Sequence, residues 1–313
     1  MSTVLDRLPS GARVAIIRLR SLGDCVLTTP AVELLKRARP DLQIALVVED
    51  RFAEIFAANP DVDRVLPPNA AVVGRFRPHL AINFHGGVSS VGLMLAAASA
   101  YRAGFGHFRF QPMYNVRIPR AQEILGVERK VHTAEHLASA MFYLGAPQTE
   151  IPRARLFAAP ASRPRPYAVL HPFASEPAKT WGAENFLAVA RRLDRDLGLE
   201  PLFIAGATED LSPFAEYPCF QGAALEEVKS LISGAALFAG NDSGPAHIAA
   251  AFGRPVVVLW GASDLDNWRP WRTEHVVLAG AAGIQSIAVS EALAAIESVL
   301  ESAAPLRSAQ SSL

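Results

Sequence analysis

The feature that most constrains this chain is a repeated alternation of short apolar strands with helices, in which a polar loop follows most strands. The first series runs from a strand at Arg13–Leu19 to a helix at Val131–Leu144, and the second from a strand at Tyr167–His171 to a helix at Ser290–Ser302. Such alternation is typical of parallel, doubly wound sheets. The 313 residues are enough for two of them. The sequence therefore predicts an α/β protein with two Rossmann-like parallel-sheet domains facing an interdomain cleft.

A proline-rich stretch separates the two series. Residues Ala158–Pro166 read AAPASRPRP and show no apolar periodicity. Proline-rich segments of this kind commonly act as spacers between domains. We therefore expect residues 1–157 to form the first domain, 158–166 the linker and 167–313 the second domain.

Composition narrows the classes of function. Lys+Arg and Asp+Glu number 30 each, and this zero net charge argues against general nucleic-acid binding. Cys25 and Cys219 lack the spacing of a zinc site or a disulfide framework. The chain has no apolar run of roughly 18 residues that could span a membrane, and Met1–Val14 lacks the apolar core of a signal peptide. We expect a cytoplasmic protein without a metal site.

The most informative stretch is Phe238–Gly261, FAGNDSGPAHIAAAFGRPVVVLWG, in which a polar turn joins a strand to a helix. Ligands of open α/β sheets bind at such junctions, and free helix N–H groups favour anions. Ser243 and Gly244 can present backbone N–H groups to a phosphate. Asp242 can accept hydrogen bonds from hydroxyls, and His247 can point at the same place. The alternative is that Asp242 or Ser243 only caps the helix and that His247 is a core histidine.

Asp24 occupies a similar junction in the first series, in the sequence Arg20-Ser-Leu-Gly-Asp-Cys, at the end of a predicted loop before a helix predicted over Cys25–Ala38. Gly23 lets a ligand approach the backbone closely. A carboxylate at the mouth of a cleft can take the proton from a sugar hydroxyl as that oxygen attacks, which is general-base catalysis. The alternative is an N-cap aspartate that interacts with the helix dipole.

Two further loops of the second series carry candidate ligand-binding groups. In HPFASEPAKTW, Ser175 and Thr180 are hydroxyl donors, and Lys179 is a point charge suited to phosphate oxygens. The alternative is a solvated surface lysine. Glu209 and Asp210 follow another strand, where an acidic side chain often holds ribose hydroxyls. The alternative there is an acidic residue at a helix N-terminus.

Basic side chains in the first series can form a patch for an anionic acceptor, unless they are only scattered surface charge. The candidates are His85 and, in the segment Tyr101–Arg120 that we predict to be irregular, Arg102, His107, Arg109, Arg117 and Arg120. Asp264 and Asp266 have no supporting ligand spacing, so we assign no metal to them.

These motifs together resemble the ADP-heptose:lipopolysaccharide heptosyltransferases, glycosyltransferase family 9, which have the GT-B fold. The resemblance runs from about Val14 to Leu300. It rests on SLGD after the first strand, on TPAVELLKRARPDLQIALVVEDRFAEIFAANPDVDRVL, on HPFASEPAKTWGAENF, and on Asp242–His247, which fits the family pattern Asp-Thr/Ser-Gly-x-x-His.

The resemblance implies an inverting, metal-independent transfer of a heptose from an ADP-activated donor to an inner-core lipopolysaccharide acceptor. No cofactor is implied besides the ADP-sugar, which is the donor substrate. The implied roles are Asp24 as general base, Lys179 on the diphosphate, Ser243 and Gly244 on phosphate, Asp242 and His247 near the donor sugar or diphosphate, and Glu209, or Asp210 in its place, on the ribose.

By the same resemblance, the first domain binds the acceptor, the second binds the nucleotide sugar, and the last helix packs back on the first domain. The implied acceptor is a lipid-linked glycan. We expect a peripheral contact with the inner face of the inner membrane through Arg102–Arg120, and no nucleic acid or protein partner.

Other functions stay open from the sequence. They are a family member with another nucleotide-sugar donor or acceptor, a nucleotide-sugar 2-epimerase, and a catalytically silent nucleotide-sugar-binding protein. The chain is shorter than many family members around Arg102–Arg129, which leaves the identity of the acceptor open.

Overall fold

The computed structural model describes residues 2–261 and 263–310, with side chains of the last helix described as far as Ala303. The chain divides into two compact units, Met1–Phe157 and Ala158–Leu313. Each unit contains a six-stranded sheet in which the paired strands are parallel. The prediction of two parallel-sheet α/β domains is therefore confirmed.

The first unit contains β1 (Arg13–Ile17), β2 (Gln43–Val47), β3 (Arg64–Leu66), β4 (Leu80–Asn83), β5 (Tyr101–Phe105) and β6 (Val116–Ile118), with helices α1 (Val4–Arg7), α2 (Leu22–Ala38), α3 (Ala70–Phe76), α4 (Val88–Ala96), α5 (Ala121–Leu125) and α6 (Thr133–Leu144). Short 3-10 helices lie at Asp50–Phe56 and Gln111–Met113.

The second unit contains β7 (Tyr167–His171), β8 (Glu200–Ala205), β9 (Cys219–Gln221), β10 (Leu237–Asn241), β11 (Val256–Trp260) and β12 (His275–Ala279), with helices α7 (Ala183–Asp196), α8 (Leu225–Gly234), α9 (Gly244–Ala251), α10 (Leu265–Trp268) and α11 (Val289–Gln310). Its 3-10 helices lie at Pro177–Lys179, Ser212–Phe214 and Ile284–Ser286.

Both sheets have the same topology. The strand orders are β3-β2-β1-β4-β5-β6 and β12-β11-β10-β7-β8-β9, so in each sheet the first and fourth strands of the domain are neighbours. The chain order reverses between these two strands, and ligands of doubly wound sheets bind at this switch point, beyond the carboxyl ends of the strands. The topology therefore selects the ends of β1 and β4, and of β7 and β10.

The central strands are buried on both faces, as their continuous apolar runs predict. Residues Val14–Ile17 of β1 and Val256–Trp260 of β11 are all buried. A parallel sheet covered by helices on both sides requires such runs. These rigid strands fix the positions of the polar residues that follow them.

Several predicted boundaries in the first domain were wrong. Helix α2 begins at Leu22 and not at Cys25, so Asp24 lies in its first turn. The segment Tyr101–Arg120, predicted to be irregular, contains β5 and β6, and α3 was not predicted. Gly104 of β5 faces the ring of Tyr114, and a Cβ at residue 104 would lie 2.5 Å from that ring. Small and aromatic residues thus pack against each other in the core. Their mixture hides the regular apolar pattern by which a strand is recognised in the sequence.

The proline-rich stretch is attached to the second unit. Ala161 donates its backbone N–H to the carbonyl of Ser230 at 3.0 Å, and Arg163 pairs with Glu200 at 3.0 Å. Helix α11 contributes Ala292, Ile296 and Val299, among others, to the core of the second domain. Packing of this helix on the first domain stays a prediction.

Candidate active site

Four loops of the second domain bring polar residues to the carboxyl ends of its strands. They follow β7, β8, β10 and β11, and the first and third of these strands flank the switch point. Ser243, after β10, lies across the switch point from His171 at the end of β7, with 3.0 Å between Oγ and Nδ1. The polar groups are therefore connected at the place where the topology predicts a ligand.

His171 also reaches the loop after β8. Its Nε2 atom lies 3.7 Å from Oε2 of Glu209, and that oxygen accepts a hydrogen bond from the backbone of Gly206 at 2.7 Å. His171 and this N–H favour the ionised carboxylate and hold the pKa of Glu209 below its ordinary value, against the opposing effect of burial. Glu209 is therefore a fixed anion beside the switch point and not a helix-terminal acid.

Asp210 points elsewhere, although it is the next residue. Its carboxylate accepts hydrogen bonds from the backbone and the hydroxyl of Ser212, at 2.9 and 2.8 Å. The structure thus separates the two acids that the sequence left as alternatives. Glu209 joins the group around His171, and Asp210 closes its own turn.

Lys179 is not a freely solvated lysine. Its side chain is 20% exposed and lies 3.4 Å from Glu176. Its stem packs against Gly261 after β11, where a Cβ would lie 2.9 Å from Cγ of the lysine. This close approach needs a glycine, and it holds the ammonium at the carboxyl edge of the sheet.

Asp242 is influenced by the same lysine. Burial raises the pKa of Asp242 above its ordinary value, while a hydrogen bond with Ser263 and the charge of Lys179 act in the opposite direction. Burial favours the neutral form of a carboxyl group and a nearby cation favours the charged form. Lys179 from the loop after β7 and Ser263 from the loop after β11 therefore both act on Asp242, which follows β10.

The loop that carries Lys179 is anchored by buried polar contacts. Trp181 is buried and donates its backbone N–H to the side chain of Asn241 at 3.1 Å and its indole N–H to the carbonyl of Ile287 at 2.9 Å. The Thr180 hydroxyl donates to the carbonyl of Glu176 at 3.1 Å, so it stabilises the turn in which it lies. Ser175 is exposed in the same loop.

Helix α9 begins at Gly244, and Ser243 is its N-cap residue. The Ser243 side chain makes no capping hydrogen bond within the described chain, so the interpretation of this serine as a simple cap was wrong. His247 is buried, and its ring packs edge-on to Trp268, with 6.4 Å between ring centroids. Because α9 follows β10, its first turn begins at the carboxyl edge of the sheet, where free backbone N–H groups favour anions.

In the first domain, Asp24 is held by two neighbours. One carboxylate oxygen pairs with Arg18, which follows β1, and the other accepts hydrogen bonds from the backbone and hydroxyl of Ser21 at 3.0 and 3.1 Å. Ser21 is the N-cap of α2, so Asp24 completes a capping box from the third helical position. Asp24 therefore does stabilise the helix end, but not as the N-cap residue.

Arg18 connects this carboxylate to the switch point of the first sheet. Its guanidinium also donates to the carbonyl of Phe84, after β4. Burial lowers the pKa of Arg18 to about 10. An ionised carboxylate offers about four acceptor positions, and Arg18 and Ser21 occupy three of those of Asp24. As far as the described residues show, one acceptor position remains for a hydroxyl group.

The candidate acceptor residues of the first domain are not all brought together. His85 follows β4 and its ring bonds the backbone of Arg20, while burial and the charges of Arg18 and Arg20 lower its pKa. Gly23 is buried within α2. Arg102 lies within β5 and donates to the carbonyl of Met113 at 3.2 Å, so we remove it from the candidate site.

The remaining arginines, Arg109, Arg117 and Arg120, are exposed. Arg109 stacks over Phe110 with 5.5 Å between the guanidinium carbon and the ring centroid. Arg120 is the N-cap residue of α5, and burial together with the charge of Arg120 lowers the pKa of His107. Arg120 and His107 are therefore close enough to interact electrostatically.

Sequence reasoning missed three site residues. They are Arg18, His136 and His171, and no local sequence motif marks them as a group. For Arg18 there was one detectable signal, a charged residue directly after the buried run of β1. His136 on α6 stacks on Phe105 with 3.9 Å between ring centroids and lies 5.4 Å from His107. Its contribution depends on α6 packing beside the strand ends, which no local sequence pattern shows.

Known sequences resemble this chain over most of its length. A sequence model of glycosyltransferase family 9 (heptosyltransferase) matches residues 77–289. Lipopolysaccharide heptosyltransferase 3 of Escherichia coli K12 is 27% identical over 297 residues, which cover 83% of this chain and 85% of the relative. Lipopolysaccharide heptosyltransferase 1 of Salmonella typhimurium is 28% identical over 287 residues, covering 80% and 89%.

Solved structures share the fold. A family 9 glycosyltransferase from Veillonella parvula has a TM-score of 0.82 at 21% identity and covers 93% of this chain and 97% of its own. The E. coli heptosyltransferase WaaC with ADP-2-deoxy-2-fluoro heptose has a TM-score of 0.75 at 23% identity, covering 91% and 99%. The GT-B fold is thus confirmed. The chain belongs to glycosyltransferase family 9 and is a glycosyltransferase.

Within 2–261 and 263–310, no group of three or more His, Cys, Asp or Glu side chains is arranged to hold a metal ion. In the same residues, no helix has the length and apolar character needed to cross a bilayer.

Proposed function

We propose that this protein transfers a heptose from ADP-heptose to an inner-core lipopolysaccharide sugar with inversion at the anomeric carbon. The observation that carries the proposal is the convergence of Lys179, Ser243 and Glu209 at the carboxyl edge of the second sheet. A nucleotide diphosphate has the anionic oxygens and ribose hydroxyls that such groups recognise. The related heptosyltransferases support the choice of sugar.

The donor would lie along this edge. Lys179 and the backbone N–H groups of Ser243 and Gly244 would bind the diphosphate, with Ser175 and Thr180 in the adjoining loop. Glu209, which faces the switch point, would accept hydrogen bonds from the ribose in preference to Asp210. Asp242 and His247 would lie near the donor sugar or diphosphate.

Asp24 would act as general base. As the acceptor hydroxyl oxygen bonds to the anomeric carbon, its proton passes to Asp24. The bond from that carbon to the diphosphate oxygen breaks on the opposite face, and ADP leaves with the electron pair. Lys179 and the N-terminus of α9 stabilise the growing negative charge without a metal. We propose a metal-independent reaction on this basis.

The acceptor would bind to the first domain. Gly23 lies in the first turn of α2 next to Asp24, and His85 lies within reach of the charge of Arg18. Exposed Arg109, Arg117 and Arg120 would add positive charge. A lipid-linked acceptor would bring the enzyme to the inner face of the inner membrane. Charge reversal of Arg109 and Arg117 should then weaken binding to anionic liposomes, and unchanged binding would argue against this contact.

The experiment that tests the donor is calorimetric titration with ADP, UDP, GDP and ADP-heptose in the presence of EDTA. We expect selective binding of the two ADP compounds. A preference for UDP would indicate another donor or a 2-epimerase, and product analysis without an acceptor would distinguish these. Binding of none of the nucleotides would leave a silent member of the fold.

A further inference from the structure

One hydrogen-bonded pair in the second domain takes the place of a helix cap. A serine at an N-cap ordinarily accepts a hydrogen bond from the backbone of the second or third helical residue. Pro245, the second residue of α9, has no N–H to give. The Ser243 hydroxyl instead lies 3.0 Å from Nδ1 of His171. The orientation of this hydroxyl is therefore controlled by the imidazole ring.

The other ring nitrogen of His171 faces a carboxylate. Nε2 lies 3.7 Å from Oε2 of Glu209, and the same oxygen is fixed by the N–H of Gly206. An ionised carboxylate favours a proton on Nε2, because a bare nitrogen would direct its lone pair at the negative oxygen. His171 is itself buried, so water does not compete freely for either nitrogen.

In a neutral ring, this choice of tautomer leaves Nδ1 as an acceptor. The Ser243 hydroxyl then donates to Nδ1, and its oxygen presents only lone pairs to the N-terminus of α9. A phosphate oxygen that arrives there would meet another acceptor. A second proton on the ring reverses the bond, because Nδ1–H donates to Ser243 and the hydroxyl proton is released for the phosphate.

We propose that His171 is a positioning residue that takes up one proton when a nucleotide diphosphate binds, so that the Ser243 hydroxyl turns from the ring to a phosphate oxygen. The proton comes from solvent, and the ring becomes an imidazolium between Glu209 and Ser243. This inference rests on the proposed nucleotide-sugar function and adds to it a linkage between pH and donor affinity.

The other titratable side chains at this edge are Lys179, Glu176, Asp242 and His247. Lys179 is paired with Glu176 and acts on Asp242. Asp242 is the chief rival for the proton, because an approaching diphosphate would also favour its neutral form. A test must therefore separate His171 from Asp242.

The test is calorimetric titration with ADP-heptose between pH 6 and 8, in pairs of buffers that differ in ionisation enthalpy. A phosphate monoester titrates with a pKa of about 6, but both phosphates of a nucleotide sugar are diesters, so proton uptake reports on the protein. For the wild-type protein we expect a net uptake of protons on binding. The affinity should fall as the pH rises, by at most about tenfold per pH unit.

The decisive variant is His171→Asn, whose amide can donate to Ser243 without taking up a proton. It should bind ADP-heptose with an affinity that does not depend on pH and with no proton uptake. Ser243→Ala, which has no hydroxyl to turn, should also lose the uptake and is the second variant if His171→Asn does not fold. Asp242→Asn should retain the uptake. His275→Asn, at the amino end of β12, is the matched control and should behave as wild type.

Uptake that persists in both His171→Asn and Ser243→Ala, or that disappears only in Asp242→Asn, would overturn the inference. ADP-heptose binding by the wild-type protein without proton uptake would also overturn it and leave the proposed function intact. If the wild-type protein binds no ADP-heptose, both proposals fail.

Discussion

The guanidinium of Arg18, directly after β1, forms an ion pair with the carboxylate of Asp24 in the first turn of α2. The two side chains are 12% and 16% exposed, so the pair is largely withdrawn from water. Its cation also binds the carbonyl of Phe84 at the end of β4. The pair thus ties the candidate base to both strands of the switch point, and it gives Asp24 a structural as well as a chemical role.

Replacement of Asp24 by Asn should reduce both activity and stability. Loss of a general base typically lowers kcat by about 10²–10⁴. Loss of the charge also leaves a buried guanidinium without its anion, which costs about 3–5 kcal/mol of unfolding free energy in fully buried pairs and less at this exposure. Transfer assays at saturating donor and urea titrations measure the two effects. Full transferase activity in this variant would disprove the mechanism.

The double variant Arg18→Met/Asp24→Asn separates the two roles of the carboxylate. In the double variant no buried guanidinium is left without its anion, because both partners of the ion pair are removed. The double variant should therefore be more stable than Asp24→Asn alone. Its activity should stay as low as that of the single variant. Recovery of activity together with stability would mean that Asp24 acts only as a structural residue.

Replacement of Lys179 by Gln should weaken donor binding by about ten- to a hundredfold, as expected for loss of a charged hydrogen bond of about 1.5–3 kcal/mol. The ammonium is placed by the contact of its stem with Gly261. Calorimetry with ADP-heptose measures the effect. Arg195→Gln, which removes an exposed positive charge from α7, is the matched control and should bind normally.

A second variant tests the placement of Lys179 without removing its charge. In Gly261→Ala the new methyl group would lie 3.0 Å from Cα and 2.9 Å from Cγ of Lys179, so the lysine loop must shift. We expect Gly261→Ala to weaken donor binding in the same direction as Lys179→Gln. Unchanged affinity in both variants would refute the assignment of Lys179 to the diphosphate.

The sequence predicts the strands better than the site. The predicted strand at Tyr167–His171 has the observed bounds, because a fully buried strand is a continuous apolar run. The start of α2 was missed because Gly23 and Asp24 look like loop residues. They are helical here because Ser21 and Asp24 satisfy the backbone N–H groups of the helix end.

The connections between loops could not be predicted from local patterns. His171 and Ser243 are 72 positions apart and meet only because β7 and β10 are neighbours in the sheet. The same adjacency brings the side chain of Asn241 to the backbone of Trp181. Patterns in the sequence identify which loops end strands, but the partner of each side chain depends on the strand order.

The two cysteines should differ sharply in reactivity. Burial raises the pKa of both thiols, that of Cys25 to about 12, but Cys25 is fully buried whereas Cys219 is exposed to reagents. Only the thiolate is nucleophilic. Labelling of the native protein with Ellman's reagent at pH 8 should therefore modify only Cys219, and Cys219→Ser should abolish the fast reaction. Both thiols should react in denaturant, and fast labelling of native Cys219→Ser would contradict the buried position of Cys25.

His136 should make the first domain sensitive to acid. Burial, with smaller effects from His107 and Arg18, lowers the pKa of His136 to about 4. The ordinary value is about 6.5 in the unfolded chain, so between these values the unfolded state binds more protons. The stabilising contribution of neutral His136 is complete above pH 6.5 and is lost as the pH falls toward 4. The loss is at most about 3 kcal/mol, because each pKa unit corresponds to about 1.4 kcal/mol.

Replacement of His136 by Phe should remove this dependence, because the new ring can stack on Phe105 without titrating. Urea titrations at pH 4.5 and 7 should show the unfolding free energy of wild type falling more steeply with acid than that of the variant. Tyr143→Phe, on the exposed side of the same helix, is the control and should follow wild type. Equal slopes for wild type and His136→Phe would show that folding does not lower the pKa of His136.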